Sequence, residues 1–244
     1  MISVINLFPK LVETILATHK ETKEMANSGW GGHDAIHDIR VAQMTLVLGY
    51  ETNPHEARLA CCAALLHSID WILKRKLQIK TEAQTVNIPN VPEEKIKKLA
   101  EEWLEKFTDI RDADKELVIT SAVQHGSRPN HPDDSLVFIL LTDADKLINM
   151  EVDVLMRSGQ HHANSQILDP IYFENEPNAT YQDHKTTLWD IWHCTTWMDE
   201  TGPYILRLPK ARELGKERAE FLLFAIQTLK NQIGELNFKK WPKF

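Results

Sequence analysis

The sequence is poor in glycine and cysteine, and it has no long uninterrupted apolar run. Nine glycines in 244 residues are few for a loop-rich β protein. Two of the three cysteines, Cys61 and Cys62, are adjacent in an apolar segment, and Cys194 is far away in the sequence. These cysteines predict no disulfide framework, and an odd count without a secretory signal favours a reducing compartment. We therefore expect a cytoplasmic protein.

Signals for export, for membrane insertion and for nucleic-acid binding are also missing. The stretch MISVINLFPKLVETILATHK has no basic start and is interrupted by Pro9 and Lys10, which is not typical of a signal peptide. No apolar run approaches the length of a membrane span. The net charge is −7, whereas a polyanion attracts basic surfaces. We expect neither a nucleic-acid polymer nor a membrane as partner, and the composition leaves the oligomeric state open.

Helical periodicity runs through most of the chain. Apolar residues recur at spacings of three and four over residues 5–16 and 36–46. Pro54 opens an apolar helix that is predicted to continue through HEARLACCAALLHSIDWIL, because a proline is tolerated in the first turn. Further helices are predicted in VPEEKIKKLAEEWLEKF, in DADKELVITSAVQHG with Gly126 just past its end, and in DDSLVFILLTDADKLINMEVDVLM as one long helix.

The last third of the chain interrupts this periodicity once. Residues 159–183 are predicted to form a long loop, and helices follow over about 184–199 and 203–233. Long loops in compact domains are often lids or binding loops, so this loop is expected to border the mouth of a site. Since there is no internal repeat and no convincing linker, the chain is predicted to be one all-α domain, a helical bundle of residues 1–244.

Polar residues crowd together in GWGGHDAIHDIRVA, residues 29–42. If His33 and His37 were both helical they would share a face, and HDAIH resembles the HExxH pattern of zinc proteases. The glycines instead favour a helix that begins near Asp34, with Asp34 as its cap. His33 would then not stack on His37. For His33 and Asp38 taken singly, a polar surface facing water is the simpler interpretation.

Other ionisable side chains occur in apolar helical contexts. His67 lies in AALLHSID, and Asp143 and Asp145 lie in ILLTDADKL. Burying an unpaired carboxylate is costly, so at least one aspartate needs a cation or several donors. AVQHGSRPNHP adds His125 and His131 near a helix end. Taken alone, His67 is best interpreted as a satisfied core histidine. Histidines and carboxylates from separate helices are nevertheless what a metal site in a helical core requires, and such ligands suit Mn, Fe, Zn or Mg.

In this order the segments resemble the HD superfamily of metal-dependent phosphohydrolases. HDAIHDIRVA is similar to the family's first histidine segment, with His37. CAALLHSID is similar to the segment that gives the motif its name, with His67, and LLTDADKL is similar to the distant aspartate segment, with Asp145. The match covers about residues 30–150, and LRLPKARELGKERAEFLLFAI resembles the last helix of a bacterial subgroup that hydrolyses nucleotides or has unassigned substrates. The resemblance implies an HD-type bundle in which His37, His67 and Asp145 hold a divalent ion (Mn, Fe, Mg or Zn).

One position departs from the family pattern. The family has an aspartate after the second histidine, where this chain has Ser68. In the family that aspartate ligates the metal and helps to orient or deprotonate the attacking water. Ser68 therefore implies a centre with one negative charge fewer. Asp70 lies three residues beyond His67, within helical reach of the same face, and it either substitutes for the missing ligand or pairs locally.

The resemblance implies hydrolysis of a nucleotide or another small phosphate ester. A divalent ion lowers the pKa of bound water and polarises a phosphoryl oxygen, and nearby cations neutralise the phosphate. Arg40, His125 and Asp70 are the catalytic candidates, His125 as phosphate donor or general acid because an unperturbed histidine titrates near neutrality.

Three further residues are candidates for contacting the phosphate: Lys74, Arg128 and His33. For Lys74 and Arg128 the alternative is a solvated surface charge. A competing hypothesis from another class is a catalytically degenerate HD domain that binds a phosphorylated small molecule or a partner without turnover. Ser68 favours this second hypothesis, and retention of His37 with its two partner ligands favours the first.

Overall fold

Most of the residues that the structure describes lie in helices. A computed structural model describes residues 2–25, 34–81, 90–126, 128–161 and 186–235. In this part of the chain no helix is both long and apolar enough to span a membrane. The predicted all-α class is confirmed. The helices are α1 (Val4–Leu7), α2 (Pro9–Met25), α3 (Ala35–Gly49), α4 (Pro54–Leu66), α5 (Ile69–Thr81), α6 (Glu93–Phe107), α7 (Asp112–Gln124), α8 (Leu136–Asn149), α9 (Val154–His161), α10 (Thr187–Thr195), a 3₁₀ helix (Thr196–Met198) and α11 (Pro209–Glu235).

The chain divides into two compact units, residues 1–148 and 149–244. The first unit contains the segments with His37, His67 and Asp145, and the second contains the C-terminal helices. The expectation that residues 1–244 form a single domain stays a prediction.

The pair α3 and α4 forms the centre of the first unit, and α4 also packs against α7. Small side chains let these helices approach closely, since Ala60, Ala63 and Ala64 of α4 are fully buried. Gly49 ends α3 at another close approach. A Cβ atom added there would lie 2.7 Å from a terminal methyl group of Leu140 on α8. This packing brings the start of α3, the end of α4 and the middle of α8 together.

The first turn of α3 begins where the sequence predicts. Asp34 is the N-cap residue, and its carboxylate accepts a hydrogen bond of 2.9 Å from the backbone N–H of His37. This bond satisfies one of the N–H groups that a helix leaves without an intrahelical partner. The prediction of an Asp34 cap is confirmed, and His37 sits in the first turn as a consequence. His33 lies outside the described residues.

The helix predicted to run from Pro54 through the segment LLHSIDWIL is in fact two helices. α4 ends at Leu66, His67 is its C-cap residue, and α5 starts at Ile69. The backbone C=O of Ser68 accepts the first hydrogen bond of α5, from the N–H of Ile72 at 3.1 Å. The prediction of one continuous helix was wrong. The break places His67 and Ser68 in the turn between the two helices.

The segment DDSLVFILLTDADKLINMEVDVLM is also divided, because α8 ends at Asn149 and α9 starts at Val154. The guanidinium group of Arg157 holds the intervening turn by donating to the carboxylate of Asp153 at 3.1 Å and to the side-chain oxygen of Asn149 at 3.2 Å. Asparagine side chains compete with the backbone for hydrogen bonds and so favour helix ends. The prediction of one long helix was wrong.

The second unit contains α9, α10 and α11. Thr186 caps α10 by accepting from the backbone N–H of Trp189, whose side chain is buried. α11 begins at Pro209 and not at residue 203, because a proline suits the first helical turn and the preceding residues form turns. Residues 159–161 of the predicted loop belong to α9, so that part of the prediction was wrong, and residues 162–183 lie outside the described residues.

Candidate metal centre

Three side chains from three helices meet in the first unit. The Nε2 atoms of His37 and His67 lie 3.3 Å apart. The Oδ1 atom of Asp145 lies 3.2 Å from Nε2 of His37 and 4.0 Å from Nε2 of His67. The structure therefore brings together the three residues that the family resemblance nominates as metal ligands.

The position of His67 at the end of α4 controls how its ring is presented. Its Nδ1 atom lies 2.5 Å from the carbonyl oxygen of Ala64. A carbonyl oxygen can only accept, so Nδ1 carries the proton in this contact. In the neutral imidazole Nε2 then has a free lone pair, and this lone pair belongs to the atom that faces His37 and Asp145. A metal-binding histidine is commonly held in this way, with its other ring nitrogen donating to a carbonyl group.

Asp145 is the member of the cluster whose side chain is partly exposed to solvent. The side chains of His37 and His67 are fully buried, whereas 19% of the Asp145 side chain is exposed. Burial opposes ionisation of this carboxyl group, but the hydrogen bond and charge of His37, with His67 and His125 nearby, outweigh it and hold its pKa well below the usual range. The carboxylate is therefore ionised near neutral pH. This agrees with the expectation that at least one acidic side chain of this segment needs donors or a cation.

Asp38 is buried, which corrects the interpretation of this residue as part of a polar surface facing water. Its side chain is 1% exposed. Oδ1 accepts a hydrogen bond of 2.6 Å from Oγ of Ser68, and Oδ2 lies 3.1 Å from Nε2 of His19. Burial acts to raise the pKa of Asp38, yet the His19 hydrogen bond and the charges of the neighbouring histidines lower it below the ordinary value. Asp38, His37 and His67 each offer a ligand atom within 4.8 Å of the others.

Two residues that the sequence motifs do not include stand behind Asp38. His19 of α2 and Arg75 of α5 are both buried, and the NH1 atom of Arg75 lies 3.0 Å from Nδ1 of His19. A signal for His19 does exist in the sequence, because it continues the buried stripe that contains Leu11 and Ile15 at helical spacing. No comparable pattern indicates Arg75, whose partner is fifty-six residues away.

His125 joins the cluster from the end of α7. Its ring lies edge-on to that of His67, with centroids 4.9 Å apart. The Nδ1 atom faces the carbonyl oxygen of Ala122 at 2.8 Å, so this histidine repeats the arrangement of His67. Burial, followed by the charge of His67, lowers the pKa of His125. The neutral form is thereby favoured, with the Nε2 lone pair available.

Three other candidate residues have positions or partners of their own outside the His37, His67 and Asp145 cluster. Arg40 lies on α3 one turn after His37 and is half-buried. Asp70 pairs locally, because its carboxylate lies 3.1 Å from Nζ of Lys74, which also sits 4.5 Å from the centre of the Trp71 ring. Lys74 is therefore a half-buried, paired cation and not a fully solvated charge.

Arg128 also has partners within the first unit. Its guanidinium group lies 2.5 Å from a carboxylate oxygen of Asp134 and 4.4 Å from the centre of the Phe138 ring. The roles of Arg128, Lys74, Arg40 and Asp70 toward a phosphate stay predictions.

The donor set and its dimensions fit a divalent metal ion. A triangle with sides of 3.2, 3.3 and 4.0 Å has a circumscribed circle with a radius of about 2.1 Å, which matches metal–ligand distances of about 2.0–2.2 Å for imidazole and carboxylate donors. Imidazole with carboxylate is a donor set for Zn, Mn or Fe. A buried group of His37, Asp38 and His67 that could hold a metal ion is also present, within a helical fold that is compatible with an HD-like domain.

Comparison with known proteins shows a likeness of fold. No protein-family model and no curated protein matches the chain. The crystal structure of Bacillus subtilis YpgQ in complex with ADP is similar, with a TM-score of 0.58 and 17% identity, over 95% of this chain and 97% of that chain. The crystal structure of the selenomethionine form of YpgQ gives a TM-score of 0.55 and 17% identity, over 95% of this chain and all of that chain. At this identity the likeness concerns the fold alone.

Proposed function

We propose that this protein is a metal-dependent phosphohydrolase of the HD superfamily that acts on a nucleotide or another small phosphate ester. The observation that carries the proposal is the triangle of His37, His67 and Asp145. These residues come from three separate helices, and their ligand atoms lie within 4.0 Å of one another. The order of the corresponding segments is the order in which the HD superfamily places its ligands.

The similarity to a nucleotide-bound structure supports the substrate class. YpgQ, which has a similar fold, is crystallised in complex with ADP. ADP is a small phosphorylated molecule, and a site with a divalent cation and neighbouring Arg and Lys side chains suits such a ligand. The net charge of −7 makes a local cation necessary for binding any phosphate.

The chemistry divides between the ion and the side chains. A divalent ion at such a site supplies an acidified water molecule and polarises a phosphoryl oxygen. His37, His67 and Asp145 would hold it, and the exposed part of Asp145 leaves that side accessible to solvent. His125 has its proton on Nδ1, held by Ala122, so its Nε2 atom accepts a proton more readily than it donates one. We therefore assign His125 the role of a base or an additional ligand.

A degenerate HD domain that binds a phosphorylated ligand without turnover is the second candidate function. The observation that favours it is Ser68, since a neutral hydroxyl group stands where the family has a ligating carboxylate. Both candidates need the same buried cluster. They differ in whether a phosphate bond is broken.

The test has two steps. The purified full chain is first analysed for bound metal, and the dissociation constant for Mn²⁺ is then measured by calorimetry. A panel of nucleoside mono-, di- and triphosphates is next incubated with the Mn²⁺-loaded protein, and released phosphate or nucleoside is measured. Metal-dependent turnover that His67→Ala abolishes supports the phosphohydrolase. Tight ligand binding with no turnover supports the degenerate domain, and failure to bind Mn²⁺, Fe²⁺, Mg²⁺ or Zn²⁺ contradicts the phosphohydrolase.

A further inference from the structure

The hydrogen bond between Ser68 and Asp38 joins the altered motif position to a buried carboxylate on another helix. Ser68 has a single hydroxyl proton, and Oγ lies 2.6 Å from Oδ1 of Asp38. The same Oγ lies 3.4 Å from Nε2 of His67. The ring proton of neutral His67 is on Nδ1, which donates to the carbonyl oxygen of Ala64, so Nε2 carries only a lone pair. Ser68 Oγ and His67 Nε2 are therefore two lone-pair-bearing atoms with no proton between them.

This separation is the one expected of two ligands on one ion. Two donors at about 2.1 Å from a common ion and at tetrahedral or octahedral angles lie about 3.0–3.4 Å apart. The oxygen of Ser68 thus occupies a place next to His67 from which it can contribute to the centre. A neutral hydroxyl oxygen is a poor ligand, but an oxygen whose proton is drawn toward a carboxylate carries more negative charge.

The surroundings of Asp38 keep its charge and its orientation. Arg75 can only donate, so Nδ1 of His19 must be the acceptor of their 3.0 Å contact. His19 consequently has its proton on Nε2 and donates it to Oδ2 of Asp38 at 3.1 Å. Asp38 therefore accepts on both carboxylate oxygens, from His19 on one side and from Ser68 on the other.

We propose that the Ser68–Asp38 pair replaces the aspartate that the motif lacks, with Ser68 presenting the oxygen and Asp38 supplying the negative charge. Asp38 is a positioning residue in this arrangement, because it acts through Ser68. The negative charges of Asp38 and Asp145 together balance the charge of a divalent ion. This inference rests on the proposed metal-dependent function and states how that function survives the change at position 68.

The inference is tested by moving the carboxylate from position 38 to position 68. The dissociation constant for Mn²⁺ is measured by calorimetry on the full chain for the wild type, Asp38→Asn, Ser68→Asp and the double variant Asp38→Asn/Ser68→Asp. Thermal melting without metal checks the fold of each. Asp112→Asn is the matched control, because the Asp112 side chain is 95% exposed and carries the same change of charge on the surface.

The inference predicts how both Mn²⁺ affinity and melting temperature differ among the variants. Asp38→Asn weakens Mn²⁺ binding by at least about tenfold, as losses around a metal site do, and adding Ser68→Asp to it restores binding. Ser68→Asp alone sets a second carboxylate against Asp38, so the metal-free protein melts at a lower temperature than the double variant. Asp112→Asn changes neither quantity. Equal Mn²⁺ affinity of the wild type and Asp38→Asn, or a double variant that binds no better than Asp38→Asn, overturns the inference.

The two levels of failure are distinguishable. If the wild type binds Mn²⁺ and Asp38→Asn binds it equally well, the inference fails and the proposed function stands. If the wild type does not bind Mn²⁺ while Ser68→Asp does, the natural centre is not compensated, and the inference and the natural chain's metal-dependent activity fail together. If Asp38→Asn does not fold, the Mn²⁺ affinity of Ser68→Ala tests the inference instead. It leaves Asp38 with His19 and removes only the hydroxyl group, so unchanged Mn²⁺ affinity overturns the inference and weaker binding supports it.

Discussion

The Nε2 atoms of His37 and His67 face each other at 3.3 Å, although the two residues are thirty positions apart in the sequence. The first belongs to the first turn of α3 and the second caps the end of α4. The two helices pack against each other and are joined by residues 50–53, so the start of one meets the end of the other. The candidate metal centre is therefore a property of a helical hairpin, completed by Asp145 from α8.

Removal of a candidate ligand should abolish metal binding. We expect His67→Ala and Asp145→Asn to weaken Mn²⁺ binding by more than the roughly 10–100-fold typical of residues that only support a ligand. Calorimetry with Mn²⁺ measures this directly. His131→Ala is the control, because His131 is exposed. Unchanged Mn²⁺ affinity in both ligand variants would show that the cluster does not hold the ion.

Addition of a divalent ion should stabilise the fold. A ligand present at about 100 times its dissociation constant stabilises a protein by about 2.7 kcal/mol, which corresponds to a rise in melting temperature of roughly 5–10 °C for a domain of this size. Differential scanning calorimetry with Mn²⁺, and then with excess chelator, measures the rise and its reversal. The same addition to His67→Ala should leave the melting temperature unchanged.

Loss of the α3 cap should reduce stability and loosen the site. Asp34→Ala removes the acceptor for the His37 N–H, and we expect it to lower the free energy of unfolding by about 0.5–2 kcal/mol. Asp34→Asn keeps a capping oxygen and should retain most of the stability. Urea unfolding of both variants measures the difference, with the exposed Asp133→Ala as control. Equal losses for Asp34→Ala and Asp34→Asn would mean that the charge, and not the cap, is what matters.

The buried thiols should make stability fall at alkaline pH. Burial raises the pKa of Cys61 and Cys62 above the ordinary value, whereas in the unfolded chain a thiol ionises near pH 8.5. Only the unfolded state then loses protons as the pH rises, so stability is fully present below about pH 8.5 and decreases above it by up to about 1.4 kcal/mol per pH unit for each thiol.

Unfolding in urea between pH 7.5 and 9.5 tests this effect, and Cys62→Ala should show a smaller slope than the wild type. At pH 8.5 the native protein should also react with Ellman's reagent far more slowly than the unfolded chain, because the three cysteines are buried. Rapid modification of the folded protein would contradict the assignment of these thiols to the core.

Much of the architecture is accessible from the sequence because helices are local. The periodic apolar residues predict α2, α3, α6 and α7, and the cap at Asp34 is found from short-range chemistry alone. His67 and Asp145 stand out as ionisable side chains in apolar helical segments, and the family resemblance nominates them, together with His37, as metal ligands. The order of their segments supplies the family resemblance.

The tertiary structure decided what depends on partners far apart in the chain. Periodicity continues smoothly across His67 and Ser68, so it does not reveal that the helix breaks there. The break coincides with bonds from these side chains to Ala64 and to Asp38 of another helix. From the sequence, Asp38 is expected to be a surface residue in the first turn of a helix. In the structure it is buried, because His19 of α2 and Arg75 of α5 cover it. The sequence thus determines which residues need a charge partner, and only the packing of the helices determines which partner each residue meets.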